Sequence, residues 1–122
     1  MSIVITGNDL TFSQLYAVAF HREKVSLSPD AIARMKASRS IVDQLVASGK
    51  TAYGINTGFG KLASVRISTE QVRQLQVNLV RSHACGVGTP LNEAETRSMI
   101  LLRANALAKG LSGTRPVVVE TL

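Results

Sequence analysis

The stretch from Tyr53 to Lys61 reads YGINTGFGK and sets one phenol beside three glycines, an asparagine and a threonine. Glycine accepts backbone angles closed to other residues and raises the entropy of the unordered chain, so no packed helix is built this way. The pattern predicts a mobile or sharply folded loop through Gly54, Asn56, Thr57, Gly58, Phe59 and Gly60, with Tyr53 as the chemical group at its entrance. A surface turn with its aromatic ring packed inward is the other reading the same residues allow. Two phosphate-binding patterns fail on context. Gly58, Gly60 and Ala63 fit GxGxxA, but no strand precedes them, no helix opens inside them and no acidic residue stands about twenty positions on. A P-loop ending at Gly60 and Lys61 would need a glycine in place of Ile55 and a hydroxyl in place of Leu62.

Few other side chains offer chemistry. His83 recurs with Val72, Leu75 and Leu79 at helical steps, which puts it on an apolar face where a charge is costly and a hydrogen-bond partner is required. Spacing alone favours a satisfied core histidine over a functional one. His21 stands at a helix end, where an imidazole meets the last carbonyls. Cys85 is the single cysteine; it excludes an internal disulfide, suits a reducing compartment and reads as a small buried hydrophobe.

The elements that must position these groups are mostly helices. Ile3 to Ile5 form a short apolar run able to pair, as an edge strand, with the alternating Val25 and Leu27. Between them Thr11 and Gln14 make a capping box, and Phe12, Leu15, Tyr16, Ala19 and Phe20 predict a short helix with an aromatic core face. Ser28 and Pro29 open a second helix with a stripe of Ile32, Met35, Val42 and Leu45, and Gly49 closes it. Ser68 and Gln71 predict a capped third helix from Thr69 to about Ala84, stopped by Gly86. A fourth runs from Asn92, with Glu95 as reciprocal cap, to Lys109 and Gly110. Apolar nearly all round from Met99 to Ala108 except at Arg103 and Asn105, it needs more cover than four short helices supply. Pro116 begins a last helix, and the chain stops at Leu122 after less than two turns, as a helix cut through would.

The strings YGINTGFGKLA, QLQVNLVRSHACGVG and RSMILLRANALAKGLSG together resemble the N-terminal segment of the aromatic amino-acid ammonia-lyases and aminomutases, over about Ile3 to Leu122. The resemblance implies a large, mostly helical, homotetrameric lyase fold with active sites assembled from several subunits. It makes Tyr53 the catalytic base, and it matches Ser82 and His83 to the pair that lines the substrate side-chain pocket in histidine-specific members. Those members eliminate ammonia from L-histidine to give urocanate. Their cofactor is an electrophilic methylidene-imidazolone ring formed from an Ala-Ser-Gly triad of the enzyme's own backbone, downstream of this segment. Ala47, Ser48 and Gly49 spell that triad here, but they precede Tyr53 and read as an ordinary helix terminus, so no cofactor is expected within residues 1–122.

Composition agrees. A chain of 122 residues with 45% apolar content can bury a modest core. Fourteen basic against eight acidic residues give +6, yet the cations are scattered singly with few aromatics to stack bases, which argues against nucleic acid. MSIVITGN has no basic segment and too short an apolar run for a signal peptide or membrane span. The expectation is therefore a cytoplasmic, mainly α segment with a small β element: residues 1–110 as the domain carrying the tyrosine loop and His83, and 111–122 as the start of the next helical domain. Alone it is expected to be inactive and to expose apolar faces meant for the rest of the enzyme and its other subunits. A tyrosine or phenylalanine lyase or aminomutase, or a small helical interaction module, are the alternatives.

Overall fold

A computed structural model describes residues 2–57 and 67–122, which fall into two compact units, residues 1–41 with 90–122 and residues 42–89. The first unit opens with a strand–helix–strand element. β1 (Ser2–Ile5) and β2 (Lys24–Leu27) pair in parallel, with Ile3 opposite Val25 and Ile5 opposite Leu27. The orientation is parallel because α1 (Phe12–His21) carries the chain back between them. The expected capping box starts α1: the Gln14 N–H donates to Thr11 Oγ1 at 3.3 Å and the Thr11 N–H to Gln14 Oε1 at 2.9 Å.

The buried face of α1 differs from the expectation. Val18 and Ala19 are buried, whereas Phe12 is 91% exposed and Tyr16 and Phe20 are also exposed. The face that meets the fourth helix is the one with small side chains, which lets the two backbones approach until Arg97 Nε donates to the Val18 carbonyl at 2.9 Å. Tyr16 stacks on Phe20 at 4.6 Å, and the His21 ring meets Tyr16 edge-on at 5.4 Å.

α2 (Pro29–Ser48) begins where the Ala31 N–H donates to Ser28 Oγ at 3.1 Å. Met35 and Ala31 are fully buried, and Ile32, Val42 and Leu45 are half-buried. Gly49, at φ +67°, closes the helix by donating to the Val46 carbonyl. The division between the units falls within this helix. α4 (Glu93–Ala108) carries the second expected capping box, Glu95 N–H to Asn92 Oδ1 at 2.9 Å and Asn92 N–H to Glu95 Oε2 at 3.0 Å.

The far end of α4 is locked to its neighbours by polar contacts. A Cβ on Gly110 would lie 2.8 Å from the Arg34 backbone carbon, so only glycine permits that approach. The Arg34 guanidinium donates to the carbonyls of Thr6, Ala108 and Lys109, placing a cation on the negative end of the helix. Asn105, one of the two polar breaks in the apolar run, accepts from the Gly7 N–H at 3.0 Å. Ile5, Val18, Ala31, Met35, Leu101, Ala104, Ala108 and Val119 form the core of this unit. The last of these comes from α5 (Pro116–Thr121). Met99 and Leu102 remain exposed, as an all-round apolar helix with too little cover requires.

The second unit holds the end of α2, the tyrosine turn and α3 (Thr69–His83). Here the sequence expectation fails in one detail: Ser68 is the N-cap residue but makes no side-chain cap bond, and the Gln71 N–H donates instead to the Ser68 carbonyl at 3.0 Å. The structure is mainly helical with one two-stranded parallel sheet. Among the described residues no helix is long and apolar enough to cross a membrane.

Candidate functional site

Tyr53 sits in the turn that follows α2. Helix termination at Gly49 frees the backbone, and the Ile55 and Asn56 N–H groups both donate to the Ala52 carbonyl, at 3.1 and 3.2 Å. Gly54 adopts φ +76° with open space where a Cβ would stand, so its role is the backbone angle and not a close approach. The phenol is turned outward, with Tyr53 68% exposed, so the turn does not pack its aromatic ring inward.

Asn56 holds this turn, a role the glycine-rich reading did not single out. Its side chain is buried; Oδ1 accepts from the Ala52 N–H at 2.8 Å and Nδ2 donates to the Lys50 carbonyl at 2.9 Å. Its backbone carbonyl accepts from the Ile67 N–H at 3.0 Å. Thr57 beside it is 1% exposed. An asparagine amide matches a peptide group and can complete a turn, but its residue type does not say whether it does. Gly58, Phe59, Gly60 and Lys61 lie outside the described residues, as does the GxGxxA stretch through Ala63.

Ser82 and His83 end α3 in the same unit as Tyr53. His83 is exposed, which corrects the expectation of a histidine buried on an apolar face. Leu75 and Leu79 of that stripe are half-buried, but residues 81 to 91 have no cover, and the stripe runs past what packs on it. The hydrogen-bond requirement is nevertheless met locally. His83 Nδ1 lies 2.9 Å from the Leu79 carbonyl oxygen and 3.0 Å from Ser82 Oγ, and the Ser82 hydroxyl donates to the same carbonyl at 2.9 Å. Cys85 is exposed rather than buried for the same reason.

Two other features help to delimit the site. Among the described residues no group of three His, Cys, Asp or Glu side chains could hold a metal ion. A cavity of about 650 Å³ in the first unit, with Ile5, Val18, Arg97 and Leu101 in its wall, contains none of Tyr53, Ser82 and His83.

Over nearly its whole length the chain follows the backbone of solved ammonia-lyases and aminomutases. Histidine ammonia-lyase from Trypanosoma cruzi superposes with a TM-score of 0.89 at 40% identity, covering 98% of this chain and 23% of that one. Tyrosine aminomutase from Streptomyces globisporus superposes at 0.90 with 34% identity, covering 98% and 23%. In sequence the chain is 53% identical over 120 residues to histidine ammonia-lyases of Geobacillus thermodenitrificans and Myxococcus xanthus, covering 98% of this chain and 24% and 23% of theirs. It therefore spans about a quarter of the length of these curated relatives. The model of the family described as aromatic amino acid lyase matches residues 10–122, and the chain belongs to that family.

The prosthetic ring implied by the family resemblance does not fit the one Ala-Ser-Gly triad present. Ala47 and Ser48 are the last residues of α2, Ser48 Oγ donates to the Leu45 carbonyl at 2.9 Å and the Gly49 N–H to the Val46 carbonyl at 3.2 Å. A triad held in those bonds is a helix terminus and not a cyclised ring.

Proposed function

We propose that this chain is the N-terminal segment of a histidine ammonia-lyase, which eliminates ammonia from L-histidine to give urocanate. The 53% identity across 98% of the chain to relatives named for that activity carries the reading. The Ser82-His83 pair supports it, since the resemblance ties that pair to histidine-specific members. Tyr53 is the base: it takes the proton from the side-chain carbon next to the amine-bearing carbon as the carbon–nitrogen bond breaks. An unperturbed phenol has a pKa of about 10, so a tyrosine base needs nearby positive charge or oriented donors to favour its phenolate. Asn56 and Gly54 hold the turn from which the Tyr53 ring projects. His83 receives the substrate imidazole.

In this reading the electrophile comes from an Ala-Ser-Gly triad elsewhere in a longer polypeptide, other subunits of a homotetramer complete the site, and residues 111–122 open the next helical domain. The likeness to a tyrosine aminomutase supports a second reading, a tyrosine-specific enzyme of the family. The test is to supply the full-length enzyme with histidine, tyrosine and phenylalanine in turn and follow ultraviolet absorbance and product identity. Urocanate from histidine in clear preference to the other two is expected. A β-amino acid from tyrosine, with no urocanate, would overturn histidine specificity in favour of the aminomutase.

A further inference from the structure

We infer that Ser82 acts through His83 and does not touch the substrate: with the Leu79 carbonyl it holds the imidazole as the Nδ1–H tautomer, leaving Nε2 as a hydrogen-bond acceptor. This rests on the proposed contact between His83 and the substrate side chain. It adds what kind of contact that is and assigns Ser82 a positioning role.

The protons available at this corner fix the tautomer. The Leu79 carbonyl only accepts, and His83 Nδ1 stands 2.9 Å from it. Were Nδ1 unprotonated, two lone pairs would face each other at hydrogen-bond distance with nothing between them. The Ser82 hydroxyl has one proton, and it points to the same carbonyl at 2.9 Å. Its oxygen therefore meets Nδ1, 3.0 Å away, with a lone pair, and a proton on Nδ1 satisfies both neighbours. In the neutral ring that proton excludes one on Nε2. With its hydroxyl proton already used, Ser82 has no donor to offer a ligand, whereas exposed His83 presents a bare ring nitrogen. The ligand class that fits is a side chain with an N–H donor, as imidazole has. A plain aromatic ring would leave Nε2 unpaired, and a site built to be hydrogen-bonded discriminates against such a ligand.

The experiment is a double-mutant cycle in the full-length enzyme, with steady-state kinetics on histidine and phenylalanine and with melting curves to check assembly. Ser82→Ala should raise the KM for histidine about five-fold, the order of one neutral hydrogen bond, with kcat nearly unchanged. Ser82→Thr, which keeps the hydroxyl, should restore KM. On top of His83→Leu, Ser82→Ala should change nothing further. An undiminished Ser82→Ala effect in the His83→Leu background would show that Ser82 meets substrate itself, and no effect of Ser82→Ala in the native background would remove its role; either overturns the inference while leaving His83 in place. Equal losses for histidine and phenylalanine in His83→Leu alone would instead overturn the proposed contact, and the inference with it.

Discussion

At the scale of single residues, one phenol and one amide set the character of the tyrosine turn. Tyr53→Phe keeps the ring and removes the proton acceptor, so in the full-length enzyme turnover should fall on the order of a hundredfold or more, the usual contribution of a positioned base. Tyr53→Phe should melt as the native enzyme does, so that the loss is one of chemistry and not of assembly. Retained activity, or loss only through failed assembly, would return Tyr53 to a packing role. Asn56→Ala tests the brace separately. It leaves the Ala52 N–H and the Lys50 carbonyl without their partner in two part-buried bonds, each worth about 0.5–1.5 kcal/mol, and it should lower both melting temperature and turnover. The turn at Tyr53 was legible from its glycines; that Asn56 braces it was not, because an asparagine in a polar turn has the same signature whether its amide points to water or closes the turn. His83 was legible as a hydrogen-bonded histidine but not as an exposed one, since helical spacing records which residues share a face and not how far that face is covered.

At the scale of elements, the parts that could be read were those fixed within a few residues. Thr11 with Gln14, Asn92 with Glu95, Ser28 before Pro29, and the stops at Gly49 and Gly110 all act across one helical turn, and each appears where expected. The face of α1 depends on what lies opposite it: periodicity offered the aromatic side through Phe12, Tyr16 and Phe20, and the close approach of α4 selected Val18 and Ala19 instead. The same contrast between local and wider context predicts unequal caps. Asn92→Ala should destabilise by about 1 kcal/mol, as loss of a side-chain N-cap generally does. Ser68→Ala should stay within a few tenths, since the Ser68 side chain makes no cap bond. Denaturant titrations of the two variants of the full-length enzyme check this, and a large Ser68 effect would mean that the cap forms in the assembled protein.

At the scale of the whole molecule, exposed apolar side chains and a net charge of +6 oppose each other. Phe12, Tyr16, Phe20, Met99 and Leu102 all face solvent in the first unit, and large apolar side chains left exposed together favour association. Like charge keeps copies apart at low salt, and screening shortens its reach from about 10 Å at 0.1 M to about 3 Å at 1 M. Purified residues 1–122 should therefore self-associate increasingly as salt rises, with light scattering as the measurement, and Phe12→Ser with Phe20→Ser should suppress it. The chain has a candidate base at Tyr53 and a candidate substrate contact at His83, yet its Ala47-Ser48-Gly49 is held in helix-terminal hydrogen bonds. A base alone leaves the amine without the electrophile that makes ammonia a leaving group in the proposed reaction. Residues 1–122 should consequently form no urocanate from histidine, as followed by ultraviolet absorbance against a Tyr53→Phe control. Turnover above that control would place the electrophile at Ala47, Ser48 and Gly49 after all, and would require the end of α2 to unwind and cyclise.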